Sequence, residues 1–144
     1  MIVSQILKSK ADVGIIAVKP TDHVRAAVGL LSEKRIGTVV VSADGVSLDG
    51  ILSERDIVRE MGRRGTSCLD EPVSAMMTAK LVTCSPSDSA DAVLEMMTNG
   101  RFRHLPVMDD GKMIGLISIG DVVKARLAEL SMEKDALEGM IMGH

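Results

Sequence analysis

Gly50-Ile51-Leu52-Ser53-Glu54-Arg55-Asp56 returns 65 positions later as Gly115-Leu116-Ile117-Ser118-Ile119-Gly120-Asp121. Both stretches read as a glycine, two apolar residues, a serine, two variable residues and an aspartate. The match extends outward on the N-terminal side. Pro20-Thr21-Asp22 recurs as Pro86-Ser87-Asp88, and Val3-Ser4-Gln5-Ile6-Leu7 as Val73-Ser74-Ala75-Met76-Met77. A repeat of this length is a structural unit used twice. The offset drifts from 70 to 66 to 65, so small length changes belong before Pro20 and between Val41 and Gly50, where loops tolerate them. The repeat divides the chain into residues 1–70 and 71–144, two halves of one module.

Each half carries the same order of elements: a short helical lead-in, an extended segment ending at the proline, an amphipathic helix, two short apolar strands joined by a turn, and another helix. In the first half Asp22 is expected to cap a helix whose apolar positions Val24, Ala27, Val28 and Leu31 recur at the spacing of one buried face. Asp88 with Ala92, Val93, Met96 and Met97 occupies the same places in the second. Thr38-Val39-Val40-Val41 and His104-Leu105-Pro106-Val107 read as strands, followed by the turn signals Asp44-Gly45 and Asp110-Gly111. Pro106 inside its run points to an edge or irregular strand. The apolar strands call for helices on at least one face, an α/β (α+β) arrangement. From Asp121 to about Met140 the apolar residues Val122, Val123, Leu127, Leu130 and Leu137, with no internal proline, predict one long C-terminal helix.

Composition allows this architecture and narrows the function. With 144 residues and 46% apolar content, the chain can bury a core without staples. Phe102 is its sole aromatic residue, and 11 methionines supply irregular packing. A net charge of −3 provides no field for nucleic acid. No leader and no membrane span are expected, and the chain reads as cytoplasmic. Cys68 and Cys84, without a second pair or a histidine at ligand spacing, read as reduced thiols, with no metal site.

The two heptapeptides, in matching places of a repeat that covers almost the whole chain, resemble the signature of CBS domains, named after cystathionine beta-synthase. The resemblance implies a pseudo-symmetric pair, each repeat a small mostly apolar sheet with packed helices, facing the other across two clefts. Family members hold AMP, ADP, ATP or related adenosyl ligands there, and two such pairs assemble into a disc-like homodimer. What it implies for this chain is an adenine-nucleotide sensor acting in trans on an unknown target protein. AMP is the foremost ligand, with ADP, ATP or NAD(H) as alternatives and no catalytic cofactor.

The residues suit a nucleotide. One carboxylate has two acceptor oxygens for the neighbouring hydroxyls of a ribose, which makes Asp56 and Asp121 the candidates. Each falls in the first turn of a helix, where free N–H groups favour phosphate, and Ser53 and Ser118 add hydroxyls. The competing explanation is that the serines are only N-caps and the aspartates only serve the helix dipole. Arg55 offers the first site a planar fork of donors, where Gly120 in the second allows close backbone approach. Thr83, Arg103, His104 and Lys19 are further polar candidates. Ile16, Val39, Val82, Leu105 and Pro106, with Ile15 and Leu81, are candidate walls for adenine.

An enzyme needs a nucleophile, an acid/base pair or a metal in mutual reach. His23, His104 and His144 have no partner pattern, so the chain is not expected to be an enzyme. The rival reading is a ligand-free CBS-pair dimer that serves as a protein-interaction module through Met96, Met97, Met132, Met140 and Met142.

Overall fold

The repeated heptapeptide folds the same way both times: its apolar residues end a strand, and its serine starts a helix. The computed structural model describes residues 1–10 and 14–142, and among these the fold is mixed α/β. In chain order the elements are α1 (Val3–Ser9), β1 (Ala17–Val18), α2 (Val24–Lys34), β2 (Thr38–Val41), β3 (Gly50–Ser53), α3 (Glu54–Arg64), α4 (Ala90–Gly100), β4 (His104–Asp109), β5 (Lys112–Ser118) and the long α5 (Ile119–Ile141). Two compact units result. One comprises Val13–Val82 with Asp110–Ile114, the other Met1–Asp12, Thr83–Asp109 and Gly115–His144.

In the first of these units three strands run in the order β1-β2-β3. β1 is parallel to β2, and β2 is antiparallel to β3 with Val40 opposite Ile51. Every residue of β2 is buried, as the unbroken apolar run requires. Val24, Ala27 and Leu31 of α2 close over Val39, Val41 and Leu52, and Val73 and Met76 complete the core. The second unit pairs β4 with β5. Val93 and Met97 of α4 and Val122 of α5 pack on Leu105, Val107 and Ile117, and Val3 and Ile6 of α1 complete this core. The lead-in of each repeat therefore enters the core built on the other repeat's strands.

The helix starts differ from the sequence expectation. Asp22 and Asp88 do not cap α2 and α4. Their carboxylates turn back to accept the N–H groups of Lys19 and Ser85, each at 2.8 Å, and so fix the proline turn. The cap of α4 is Ser89, accepting from Ala92 N at 3.0 Å, whereas α2 starts at His23 with no side-chain cap. Both helices end alike, on Arg35 and Arg101 in the left-handed region (φ 54° and 57°).

The two sheets also differ, and one proline explains it. In the first repeat Val40 N donates to Ile16 O at 3.1 Å and Ser42 N to Val18 O at 2.9 Å, which makes β1 a strand. In the second, Met108 N donates to Cys84 O at 2.9 Å in the same manner. The position matching Val40 is Pro106, which has no N–H to give. Pairing shrinks to an isolated bridge between Cys84 and Val107, so the extended segment that contains Thr83 is no strand. β4 and β5, in turn, run longer than β2 and β3. They are joined by Asp110-Gly111 alone, both at positive φ (51° and 75°), the conformation of a type I′ hairpin turn. In the first repeat the stretch between Val41 and Gly50 is loop, and the Asp44 carboxylate pins it by accepting from Val46 N and Ser47 N.

Both thiols are buried and free. Burial, with Asp88 nearby, pushes the Cys84 thiol up to about 11, so it holds its proton and is a poor nucleophile.

Candidate functional site

Each signature builds a capping box. Ser53 is the N-cap of α3: its hydroxyl accepts from Asp56 N at 3.2 Å, and its own N–H donates to Asp56 Oδ2 at 3.0 Å. Ser118 and Asp121 repeat the geometry at the start of α5, at 3.1 Å and 2.9 Å. The strand side is fixed in the same way twice, since Glu54 N donates to Gly37 O at 2.9 Å and Ile119 N to Arg103 O at 2.8 Å. The capping explanation is thus realised in full. It engages Oδ2 of each carboxylate, and each carboxylate has a further charged partner.

That second partner differs between the sites. Asp56 is buried, and its Oδ1 accepts from Arg59 Nη2 at 2.9 Å. At Asp121 the Lys10 ammonium sits 2.8 Å from Oδ2 and also donates to Leu116 O at 2.9 Å. Burial pushes the Asp121 carboxyl up, but Lys10 and the N–H and hydroxyl of Ser118 outweigh it and hold the group below the usual carboxylate range. Burial also lowers His104, and the nearby Lys10 and Arg103 push the same way against Asp121. Both effects favour the neutral imidazole.

Neither Arg59 nor Lys10 stood out in the sequence. Arg59 could have been found, because it lies one helical turn after Asp56 on the same face. Lys10 lies 111 positions before Asp121, and nothing in the sequence spacing says that the lead-in reaches the second signature.

The remaining candidates fall into distinct environments. Arg55, Lys19, Thr83 and Arg103 are exposed, and Val82 is exposed next to Thr83. Ile16 is half-buried against its core. Val39, Leu105 and Pro106 are buried, the first two inside the two apolar cores. Among the polar candidates, the structure brings Arg103, His104, Ser118 and Asp121 together around Lys10 in one unit, and Ser53 and Asp56 in the other. Arg55 follows Ser53 by two residues on α3. At the corresponding place a Cβ on Gly120 would meet only Ser118 Oγ, at 3.7 Å, so the backbone at the start of α5 is open to close approach. No group of histidine, cysteine and carboxylate side chains suited to a metal occurs among the described residues. His144 lies outside them.

Replacing Lys10 with methionine is expected to release the Asp121 carboxyl upward. A lowered carboxyl contributes stability that is present above its unfolded value, near 4, and lost as pH falls through its folded value. Lys10→Met should therefore move the acid-unfolding midpoint, followed by circular dichroism, to higher pH. An unmoved midpoint would show that the ion pair does not persist in solution.

Comparison with known proteins agrees with this geometry. The CBS domain model matches residues 3–63 and 73–128, so both signatures fall inside matched segments. A CBS domain-containing protein named CBSX3, mitochondrial, from Arabidopsis thaliana is 36% identical, over 98% of this chain and 72% of its own length. The crystal structure of a CBS-domain containing protein from Agrobacterium tumefaciens is 40% identical with a TM-score of 0.82, covering 88% of this chain and 99% of that one. The crystal structure of CBSX2 in complex with AMP is 28% identical with a TM-score of 0.74, covering 88% and 96%. Two matched segments on two copies of one strand-to-helix junction place the chain in the CBS-domain family, as a tandem pair.

Proposed function

We propose that this chain is an adenine-nucleotide-binding regulatory module that binds and does not transform its ligand, and that it acts in trans on a separate target protein in the cytoplasm. AMP is the foremost ligand, with ADP, ATP or NAD(H) as alternatives. The observation that carries this reading is the Ser-x-x-Asp junction built twice, each time with a carboxylate held rigidly at a helix N-terminus. Such a carboxylate matches the paired hydroxyls of a ribose, and the adjoining N–H groups favour phosphate. The AMP complex of CBSX2 supports the class of ligand. The second site has the simpler geometry for it, because both Lys10 and Ser118 N engage Oδ2 of Asp121. Oδ1 is the acceptor for a ligand hydroxyl, and Lys10 is a cation close by.

The capping box dictates the choice of test variant. Alanine at Asp56 or Asp121 removes the box as well as the ligand contact and costs roughly 0.5–2 kcal/mol before any nucleotide is added. Glutamate is the usual third residue of a capping box, so Asp56→Glu and Asp121→Glu keep the helix start while displacing the carboxylate. Thermal unfolding should be followed with and without AMP, ADP, ATP and NADH. Wild type is expected to gain about 2.7 kcal/mol at a hundredfold excess over the dissociation constant, and the glutamate variants should lose that gain while keeping the ligand-free midpoint. No rise with any nucleotide, on protein shown to carry none from purification, overturns the sensor reading and leaves the ligand-free interaction module.

A further inference from the structure

Each junction sets a cation on its aspartate, but the two cations come from different directions. In the first, Arg59 belongs to the same helix as Asp56 and lies on Oδ1 at 2.9 Å, while Ser53 N and Ser53 Oγ donate to Oδ2 at 3.0 and 2.9 Å. In the second, Lys10 comes from the lead-in and lies on Oδ2 of Asp121, the oxygen that Ser118 N also uses. The other lead-in carries a lysine at the matching place, Lys80, 70 positions on. Lys80 is exposed, and the carbonyl that corresponds to Leu116 O, that of Ile51, accepts from Thr78 N at 2.9 Å. At Leu116 the Lys10 ammonium donates instead, also at 2.9 Å.

Granted the nucleotide reading proposed above, on which this rests, we infer that Lys10 makes the Asp121 junction selective for a phosphorylated adenosine over the bare nucleoside, and the tighter of the two sites for it. Lys10 is anchored at two points, so its long stem is ordered before a ligand arrives and that entropy does not subtract from binding. Among the described residues those contacts use two of its three N–H donors, and the third can meet an anion. A ribose held on Oδ1 of Asp121 keeps its 5′ substituent about one sugar ring from the ammonium, inside the roughly 8 Å over which charges are felt at physiological salt. Arg103, whose carbonyl accepts from Ile119 N, adds a second cation to this junction. The first junction is balanced differently. Gly37 takes the place of Arg103, and Glu54 lies over it, with Oε1 3.4 Å from where a Cβ would stand. A phosphate there meets two carboxylates, Glu54 and Asp56. A ribose hydroxyl must also displace Arg59 from the buried Asp56, which strips that carboxylate of its counter-charge.

The experiment is isothermal titration of the full chain with AMP and with adenosine, at low and at raised salt. Wild type should show two classes of site. The tighter class should favour AMP over adenosine about tenfold, the scale of one added charge contact, and less at raised salt. Asp121→Glu should remove that class. Lys10→Met should bring its preference for AMP close to parity, and Lys10→Arg, which keeps the charge, should retain most of it. A merely structural loss would weaken both ligands alike and leave their ratio unmoved. If Lys10→Met does not fold, the salt dependence of the wild-type ratio decides in its place, and a ratio indifferent to salt overturns the inference. Sites of equal affinity, a preference that survives Lys10→Met, or one carried by the class that Asp56→Glu removes, overturn it while the nucleotide reading stands. Binding of neither ligand overturns both.

Discussion

Ile117→Ala and Leu52→Ala are each expected to cost about 2–5 kcal/mol in urea unfolding, the largest effects foreseen for single substitutions in this chain. The two residues occupy the same place in the two signatures, and both side chains are wholly enclosed. Ile117 is packed with Leu105, Val107 and Val122, and Leu52 with Val39, Val41 and Ile57. Truncation leaves a cavity that strands on one side and helices on the other cannot collapse without shifting. Small domains have only about 5–15 kcal/mol of total stability, so either variant should move the midpoint markedly with little change in slope. Ile117→Val, which removes one methylene, should cost about 0.5–1.5 kcal/mol. A loss below about 1 kcal/mol for either alanine variant would contradict the placement of that side chain in a closed core.

Gly50→Ala is expected to cost more than Gly115→Ala, although both remove the first residue of a signature. A Cβ at Gly50 would lie 2.8 Å from the Thr78 carbonyl oxygen and 2.8 Å from Met77 Sδ. The thioether can swing away. Thr78, however, is held to Ile51 by two backbone hydrogen bonds, of 3.0 and 2.9 Å, so relief at Gly50 means breaking that bridge. At Gly115 the Cβ meets only the methyl end of Leu7, at 2.9 Å, which a rotamer change can move. Overpacking against backbone costs about 1–3 kcal/mol, and Gly50→Ala belongs at the upper end of that range. Urea midpoints of the two variants side by side check the order, and equal losses would count against the Thr78 contact.

Much of this was legible in the sequence because the repeat gave each residue a second witness. The buried faces of α2 and α4, the strand pairs, the Asp110-Gly111 turn and the length of α5 all follow from periodicity and turn chemistry. The capping role of Ser53 and Ser118 follows from a serine three residues ahead of a carboxylate at a strand end. What stayed hidden has physical reasons. Asp22 and Asp88 stand next to helix starts, yet an aspartate can satisfy an N–H behind it as readily as one ahead. Pro106 signalled an irregular strand, but only the partner carbonyls show which hydrogen bond it deletes. Lys10 joins Asp121 through packing of distant segments, which no local pattern encodes. The exchange of lead-ins between cores is invisible to a repeat search, since a repeat states what resembles what and not what touches what.

That exchange gives the two cores very different sequence separations. The unit built mainly on Val13–Val82 takes its lead-in, Val73 and Met76, from just downstream of its own strands, so its core closes over short sequence separations. The other unit gathers its core from residues as far apart along the chain as Val3 and Ile6 on one side and Val122 and Ala125 on the other. Docking Val3 and Ile6 on partners so distant in sequence closes a long loop, which slows that step of folding. Val3 and Ile6 are thus expected to be among the last side chains buried when the chain refolds, a delay that the core around Val73 and Met76 does not share.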